Sequence, residues 1–336
     1  MNCEFLKNKI ILVTGGTGSF GGNFVRYLLS HSGAKKIIVF SRDELKQFNL
    51  KKKVNDSRLR FFLGDVRDLP RLERAFEGVD IVIHAAALKH VPMLEYNPFE
   101  AVKTNILGSQ NVIDAALDKG VKQVVLISTD KASEPANLYG STKLCAEKLF
   151  VSANAYGGGR TAFSCVRYGN VIGSRGSIVD TTLTHPRQDT ISITHPEMTR
   201  FWISLGQSFE LVRFALATMK GGEIFIPKIP SMKVTELVAA LRPRAKQVVT
   251  GVRPGEKLHE LLLSKEEARH AVELPEFFVI LPENAELFEI AKQFKELLRK
   301  GKKLPPQFYY ASDTNTEWLT KPKLLTMIGD KQTEQP

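Results

Sequence analysis

The sequence has little of what marks a membrane, secreted or metal-binding protein. No apolar run reaches the roughly 20 residues that a membrane-spanning helix needs. Met1 to Lys9 is polar and charged and lacks the apolar core of a secretory leader, so the cytoplasm is the expected compartment. Cysteine is scarce: Cys3, Cys145 and Cys165 are an odd number without metal-like spacing, and reduced structural thiols are expected. The seven histidines are scattered, with no pair at ligand spacing, and no metal is expected. Internal repeats and low-complexity stretches are missing as well.

What is there is an ordinary globular composition. The chain has 336 residues, 43% apolar and 25% charged, enough for a substantial core in one large or two unequal domains. The net charge is +11, spread from Lys7 to Lys331. Its densest runs, Lys51-Lys52-Lys53 and Arg299-Lys300-Gly301-Lys302-Lys303, suit solvated helix faces or ends. Phosphate-bearing ligands account for the excess at least as well as nucleic acid does. Neither nucleic acid nor membrane is expected as a partner.

Lys9 to Val13 is a short apolar run fit for a buried parallel strand. It leads into Thr14-Gly15-Gly16-Thr17-Gly18-Ser19-Phe20-Gly21-Gly22 and then a helical run through Phe24, Val25, Leu28 and Leu29. Gly15, Gly18 and Gly21 allow a tight turn, close backbone approach to a pyrophosphate and close helix–strand packing. A second strand, Ile37 to Phe40, ends in Ser41-Arg42-Asp43-Glu44-Leu45-Lys46. Arg42, with Lys46 a turn later, suits a 2′-phosphate and so NADP over NAD, although both could be surface charges on the next helix. A third strand, Arg60 to Leu63, runs into Asp65, which could touch an adenine edge or cap a helix. A fourth, Asp80 to His84, precedes Ala85-Ala86-Ala87, small enough for a flat cofactor to lie against backbone. His84 itself reads as a packed strand-end histidine. Asn105 follows on the helix after Pro98.

A fifth strand, Val124 to Ile127, ends in Ser128-Thr129-Asp130-Lys131. Eight residues beyond Lys131, Tyr139-Gly140-Ser141-Thr142-Lys143 opens a helix through Leu144, Leu149 and Phe150. Four residues apart on that helix, Tyr139 and Lys143 share a face. An ammonium beside a phenol favours its charged form, so the Tyr139 pKa is expected to fall and the phenol to serve as a base for a sugar hydroxyl. Asp130-Lys131 could be a surface ion pair, but it stands where a parallel sheet presents strand ends to a ligand.

Strand and helix thus alternate through Lys131, and a sixth strand follows at Phe163 to Arg167. The expected class is α/β, a Rossmann-like doubly wound parallel sheet with a smaller C-terminal substrate-binding α/β region. Residues 1–170 plus about 201–225 form the NADP-binding domain, and 171–200 with 226–330 the substrate-binding region. Residues 171–200 read as loops and 331–336 as a frayed tail. Helices are expected over Phe201 to Met219, Val234 to Leu241, after the 253–257 turn and over Leu287 to Leu298. Further strands are expected at Glu223 to Pro227 and Lys246 to Val252.

These motifs together resemble the extended short-chain dehydrogenase/reductases. Within them the chain resembles the inverting UDP-N-acetylglucosamine 4,6-dehydratases (5-epimerising) of pseudaminic acid and related bacterial glycan pathways. The resemblance rests on the motifs above and on Gly64-Asp65-Val66-Arg67-Asp68, Ala85 to Pro92, Glu95-Tyr96-Asn97-Pro98 and Lys103-Thr104-Asn105. It continues through Asn137-Leu138-Tyr139-Gly140, Arg167-Tyr168-Gly169-Asn170-Val171, Met198 to Trp202 and Arg253 to Glu260. Retaining dehydratases carry Asp-Glu where this chain has Asp130-Lys131. Long membrane-bound relatives put methionine at the place of Tyr139. The segment Asp180 to Thr190 departs from the family's helix: Thr181 and Thr182 are poor helix formers and Pro186 cannot sit mid-helix.

The resemblance implies NADP as cofactor, held also by Val66, Ala85, Ala86, Lys89, Asn105 and Val171, and UDP-N-acetylglucosamine as substrate. Near the nucleotide sugar it puts Lys89, Lys131, Arg167, Asn170, Arg175, Ile178, Thr194, Arg253 and Asn315. Arg253 could equally hold its turn, and Asn170 could cap a loop. A homo-oligomer, dimer to hexamer, is implied too. The chemistry implied is dehydration across carbons 5 and 6 through a 4-ketone with inversion at carbon 5, a hydro-lyase reaction. Tyr139 would take the 4-hydroxyl proton, aided by Thr129 and Lys143, Asp130 would act as acid and Lys131 as the carbon 5 base. For that, the Lys131 pKa is expected to be depressed by burial or nearby positive charge. Either Tyr139 or Lys131 could reprotonate carbon 5. An NAD(P)-dependent 4-epimerase or reductase, needing no carbon 5 base, is the alternative enzyme. A cofactor-sensing protein that kept the fold is the non-enzymatic one.

Overall fold

A computed structural model describes residues 3–174, 176–184, 189–284 and 288–333. Six apolar runs become the parallel heart of the molecule: β1 (Ile10–Thr14), β2 (Lys36–Ser41), β3 (Leu59–Leu63), β4 (Ile81–His84), β5 (Gln123–Ile127) and β6 (Ala162–Val166). Their order, β3-β2-β1-β4-β5-β6, reverses direction of winding at β1, the switch point of a doubly wound sheet. Helices α1 (Ser19–His31), α2 (Glu44–Lys53), α3 (Leu69–Ala75), α4 (Val91–Tyr96), α5 (Pro98–Ala101), α6 (Gly108–Asp118) and α7 (Leu138–Tyr156) connect them. Ile11, Leu12 and Val13 on β1 and Val124, Val125 and Leu126 on β5 are all fully buried, as strands covered on both faces must be. The α/β class and the doubly wound sheet expected from the sequence are what the chain builds.

Past β6 the chain departs from the expected pattern. Residues 171–200 are not all loop. Asn170–Val171 is a short strand, β7, Ile178–Thr184 a helix, α8, and Thr190–Ile193 a strand, β8. Thr181 and Thr182 are helical despite their low propensity. The Thr181 and Thr184 hydroxyls donate to the carbonyls of Ser177 and Asp180, four residues back, and so use the helix's own acceptors. Pro186 lies outside the described residues. Phe201 to Ile203, expected to open a helix, instead belong to a wholly buried strand, β9 (Thr199–Ile203), and the helix α9 begins at Leu205. Ser204 decides that boundary: its hydroxyl accepts from Gln207 N while the Gln207 side chain accepts from Ser204 N, a reciprocal cap.

Ile224–Pro227, β10, pairs parallel with β6, and beyond it Phe277–Ile280, Ala271–Glu273 and Lys302–Lys303 add antiparallel strands. The main sheet, ten-stranded among the described residues, therefore draws on both segments of the chain. No helix follows the 253–257 turn directly; Leu261–Leu263 is a strand paired with Tyr310–Ala311. The expected Leu287–Leu298 helix is split into Ile290–Gln293 and Lys295–Lys300, with Leu287 outside the described residues. Of the tail expected to fray, residues 331–333 complete the helix Lys321–Thr333, and 334–336 lie outside the described residues. A second apolar cluster packs Ile172, Val179 and Trp202 against Met232, Leu237 and Leu324.

Where β6 ends, Arg167 is fully buried. The resemblance put it near the sugar; the structure turns it inward. Its guanidinium donates to both oxygens of Glu147 on α7, both oxygens of Glu267 and the Leu262 carbonyl, at 2.6–3.1 Å. A forked guanidinium can satisfy two carboxylates at once, which one ammonium cannot. Burial works against the Glu267 carboxylate, but Arg167 outweighs it and holds the pKa down to about 2. That stabilisation is present above the ordinary glutamate pKa and is lost as pH falls toward 2. Arg167→Ala leaves Glu147 buried and unpaired and is expected to cost about 3–5 kcal/mol in urea unfolding.

Candidate active site

A cleft of about 1190 Å³ opens over the carboxyl ends of β1, β4 and β5. Gly15 turns β1 into α1 with φ 63°, and a Cβ there would stand 2.9 Å from the Ala85 carbonyl and the Ala86 backbone. Only glycine allows both the dihedral and the approach. Gly18 caps α1 with no side-chain hydrogen bond, so the first N–H groups of this 13-residue helix face the cleft. That is a cradle for a pyrophosphate. Gly15, Thr17, Gly18, Ser19, Phe20 and Gly21 line it together with Lys46, Ala85, Lys89 and Val171.

Other residues expected around the cofactor are placed beside the cleft or beneath it. Ser41 is buried and accepts the Gln47 amide through both its carbonyl and its hydroxyl. Asp43 caps α2 by accepting from Lys46 N, and Glu44 is that helix's first residue. Arg42 pairs with Asp65 at 3.5 Å, and Asp65 also holds Arg67, so the cap of α3 falls to Asp68. Val66 is buried beneath Gly108. Ala86 N donates to Thr14 Oγ1. Asn105 accepts from Leu88 N and donates to Leu88 O and Thr142 Oγ1, fixing the loop after β4. His84 is the packed histidine expected: it bonds Thr14 and Ser109, stacks on Phe150 and is driven neutral by burial and Lys143, its pKa lowered to about 3.

The chemistry-bearing groups meet at the end of β5. Thr129 Oγ1 donates to Asp130 Oδ1 at 2.9 Å, and Asp130 is fully buried just under the cleft wall. Asn137 caps α7 by accepting from Gly140 N. A Cβ on Gly140 would overlap the Lys131 carbonyl oxygen, so glycine lets the first turn of α7 lie against the 130–132 turn. Tyr139 and Lys131 thereby face one space. Lys143 donates to the Ile127 carbonyl at 2.8 Å, and burial lowers its pKa to about 8, against Glu147 and Cys165.

Two expectations about charge are overturned. The Tyr139 phenol is not brought down by Lys143. Burial pushes its pKa up to about 12, and the groups that resist are Lys131 and a hydrogen bond with Thr129. Nor is Lys131 depressed. Burial opposes its charge, but Asp130 and Glu260 outweigh burial and Arg200 together and push the pKa up. The ammonium sits 3.0 Å from Asp130 Oδ1 and 3.1 Å from Glu260 Oε1. Glu260, far along the chain, thus adds to the charge that the adjacent Asp130 supplies.

Of the residues expected near the nucleotide sugar, Lys89, Lys131, Asn170 and Arg253 line the cleft. Three residues do not reach its lining. Ile178 packs into two apolar clusters. Thr194 donates to the Met198 sulfur. Asn315 donates to Ile229 O and Ser231 Oγ, where it joins two chain segments. Arg175 lies outside the described residues.

The profile of one family, described as polysaccharide biosynthesis protein, matches residues 11–282. The chain belongs to this family. It is 49% identical to a Campylobacter jejuni protein named UDP-N-acetylglucosamine 4,6-dehydratase (inverting), over 96% of this chain and 97% of that one. The X-ray structure of Pen from Bacillus thuringiensis superposes with TM-score 0.87 at 38% identity, covering 98% of this chain and 99% of that one. DesIV, a dTDP-glucose 4,6-dehydratase from Streptomyces venezuelae solved with NAD bound, superposes with TM-score 0.68 at 26% identity, covering 74% and 86%. The extended short-chain dehydrogenase/reductase fold and a nicotinamide cofactor follow. Among the described residues no helix is long and apolar enough to cross a membrane.

In this polysaccharide biosynthesis protein, sequence spacing missed Glu260, Arg200 and Lys257, which all line the cleft. Arg200 is clamped by the carbonyls of Thr199, Lys257 and Leu258. Lys257 donates to Ser133 O and tethers its turn to the segment after Lys131. They lie in stretches that carried the resemblance, but no local pattern marks them. Gly140→Ala is expected to push α7 off the 130–132 turn and lower turnover by about 10²-fold, as a 1 Å misplacement can. Cofactor affinity should change far less, measurable by fluorescence titration.

Proposed function

We propose that this protein removes water across carbons 5 and 6 of UDP-N-acetylglucosamine through a transient 4-ketone and inverts carbon 5. The product is UDP-2-acetamido-2,6-dideoxy-L-arabino-hexos-4-ulose. The observation that carries this reading is the Lys131 amine in the cleft beside Thr129, Asp130 and Tyr139. Oxidation or epimerisation at carbon 4 needs only the tyrosine and its partners. A lysine at the same wall adds the second base that removal of the carbon 5 proton requires.

A nicotinamide dinucleotide, whose pyrophosphate Gly15–Gly21 would hold, would supply a hydride acceptor and later a donor. The rest is the work of side chains. Tyr139 and Thr129 bond the 4-hydroxyl, and Tyr139 takes its proton once the phenol has released its own, a loss that burial opposes and Lys131 and Thr129 favour. Lys143 anchors the cofactor's ribose. Lys131 removes the carbon 5 proton. Asp130, buried with Oδ2 unpartnered, protonates the departing 6-hydroxyl after taking up a proton from Lys131, 3.0 Å from its Oδ1. Lys89, Asn170 and Arg253 hold the nucleotide sugar. The proposed division into a cofactor domain and a substrate region has both contribute to the cleft, Lys89 and Tyr139 from the first and Arg200 and Arg253 from the second.

NADP is the proposed cofactor. Lys46 lines the cleft at the first turn of α2, and Arg42, half exposed, stands beside it. Both can turn to a 2′-phosphate. Arg42→Ala is expected to weaken NADP about tenfold, as for one charged hydrogen bond, and to leave NAD unchanged in isothermal titration.

The reaction is tested with UDP-N-acetylglucosamine in heavy water, by mass spectrometry and NMR. The expected product has lost water and carries one solvent deuterium at carbon 5. Inversion at carbon 4 with no water lost would instead mean an epimerase. Lys131→Ala should bind cofactor normally and lose dehydration; unimpaired water loss in that variant would remove Lys131 from the mechanism.

A further inference from the structure

Lys131 can be a base only as a neutral amine, and the fold holds it as an ammonium between two carboxylates. Its proton therefore needs a place to go. Asp130 Oδ1 already accepts from the Thr129 hydroxyl as well as from Lys131. Glu260 offers more. It is 2% exposed, its Oε1 lies 3.1 Å from Lys131 Nζ, and its Oε2 is buried without a partner.

Its position is fixed from the far end of the chain. Glu260 N donates to Ser312 Oγ and Glu260 O accepts from Ser312 N. Ser312 Oγ pairs with Thr199 Oγ1, which also bonds His259 Nδ1. The charged and titratable groups around the carboxylate are Lys131, Asp130 and Tyr139 on one side, Arg200 from β9, and Glu256, Lys257 and His259 on its own segment. Arg200 Nε is 3.6 Å away, beyond good hydrogen-bond reach, and its terminal nitrogens are turned to backbone carbonyls.

We propose that Glu260 is the proton acceptor for Lys131, a positioning residue that converts the ammonium to the amine when substrate fills the cleft. One N–H bond of Lys131 breaks and one O–H bond forms on Glu260 Oε1, so an ion pair becomes a neutral pair with no atom gained or lost. Exclusion of water favours this direction, because a charged pair loses more hydration than a neutral one. The amine then takes the carbon 5 proton. When the regenerated ammonium has given a proton up, Glu260 returns its own and the pair is restored. The inference rests on Lys131 being the carbon 5 base.

Glu260→Gln keeps size and tests the role. Under single-turnover conditions, deuterium exchange at carbon 5 and water loss should fall about 10²-fold, the low end for a proton-transfer partner. Cofactor binding and the transient absorbance of reduced cofactor should persist. The residual exchange should rise with pH through the alkaline range, where Lys131 discharges to solvent, and wild type should lack that rise. Glu260→Asp should recover part of the rate. Exchange at the wild-type rate or with the wild-type pH profile overturns the proposal. So does an equal loss of carbon 4 oxidation, which marks a merely structural role. Faster exchange would also overturn it, since Glu260 would then restrain Lys131. Lys131→Ala separates the two readings: if it still exchanges, Lys131 is not the base and both fall; if it does not, the Glu260 results decide the relay alone.

Discussion

One buried guanidinium ties the site together. Arg167 leaves the end of β6 and binds Glu147 on α7 and Glu267 just after Leu261–Leu263. Lys143 stands one turn before Glu147 on the same helix. Glu260 stands at the start of the strand that leads to Glu267. A single side chain thus sets the distance between the helix carrying Tyr139 and the segment carrying Glu260. Three charges, two of them fully buried, tolerate little displacement, since each must keep its partners.

Around that anchor, close backbone contacts do the finer placing. Gly15 brings the β1–α1 turn against Ala85 and Ala86, and Gly140 brings α7 against Lys131. Asn137 works on both sides, accepting Gly140 N and donating to Gly255 O, so the cap of α7 also holds the 253–257 turn. The cleft is a place where rigid elements converge, and its side chains are held at their bases by backbone bonds. This is the arrangement a site needs when two proton transfers and a hydride transfer must share one sugar ring.

The charge pattern is the less obvious result. A lysine near a tyrosine in sequence suggested that the pair would tune each other. In the fold, Lys143 turns to the Ile127 carbonyl and loses basicity to burial, while Lys131 takes over as the cation near the phenol. Lys131 in turn is held by the adjacent Asp130 and by Glu260, a residue 129 positions further along the chain. Coulomb interactions depend on distance in space and on local solvation, and neither is encoded in spacing along the chain.

Much of the fold was legible because it rests on local rules. Apolar runs of strand length, glycines at the first turn and alternation with amphipathic helices specify a doubly wound sheet. Ser128–Lys131 and Tyr139–Lys143 were recognisable because strand ends and helix starts place residues predictably. Past residue 170 the sequence said less. Whether Thr199–Ile203 is strand or helix depends on a partner strand at Ser231–Lys233, and Thr181 and Thr182 join a helix because Val179 and its neighbours need burial. Arg167, Glu260 and Asn315 found partners 95, 129 and 86 residues away, contacts that no window of sequence contains. The sequence by itself determined the sheet and the glycine turn after its first strand, and it singled out the side chains proposed to react. Only the tertiary structure decided their charge states, because desolvation and long-range pairing exist only once the chain has closed on itself.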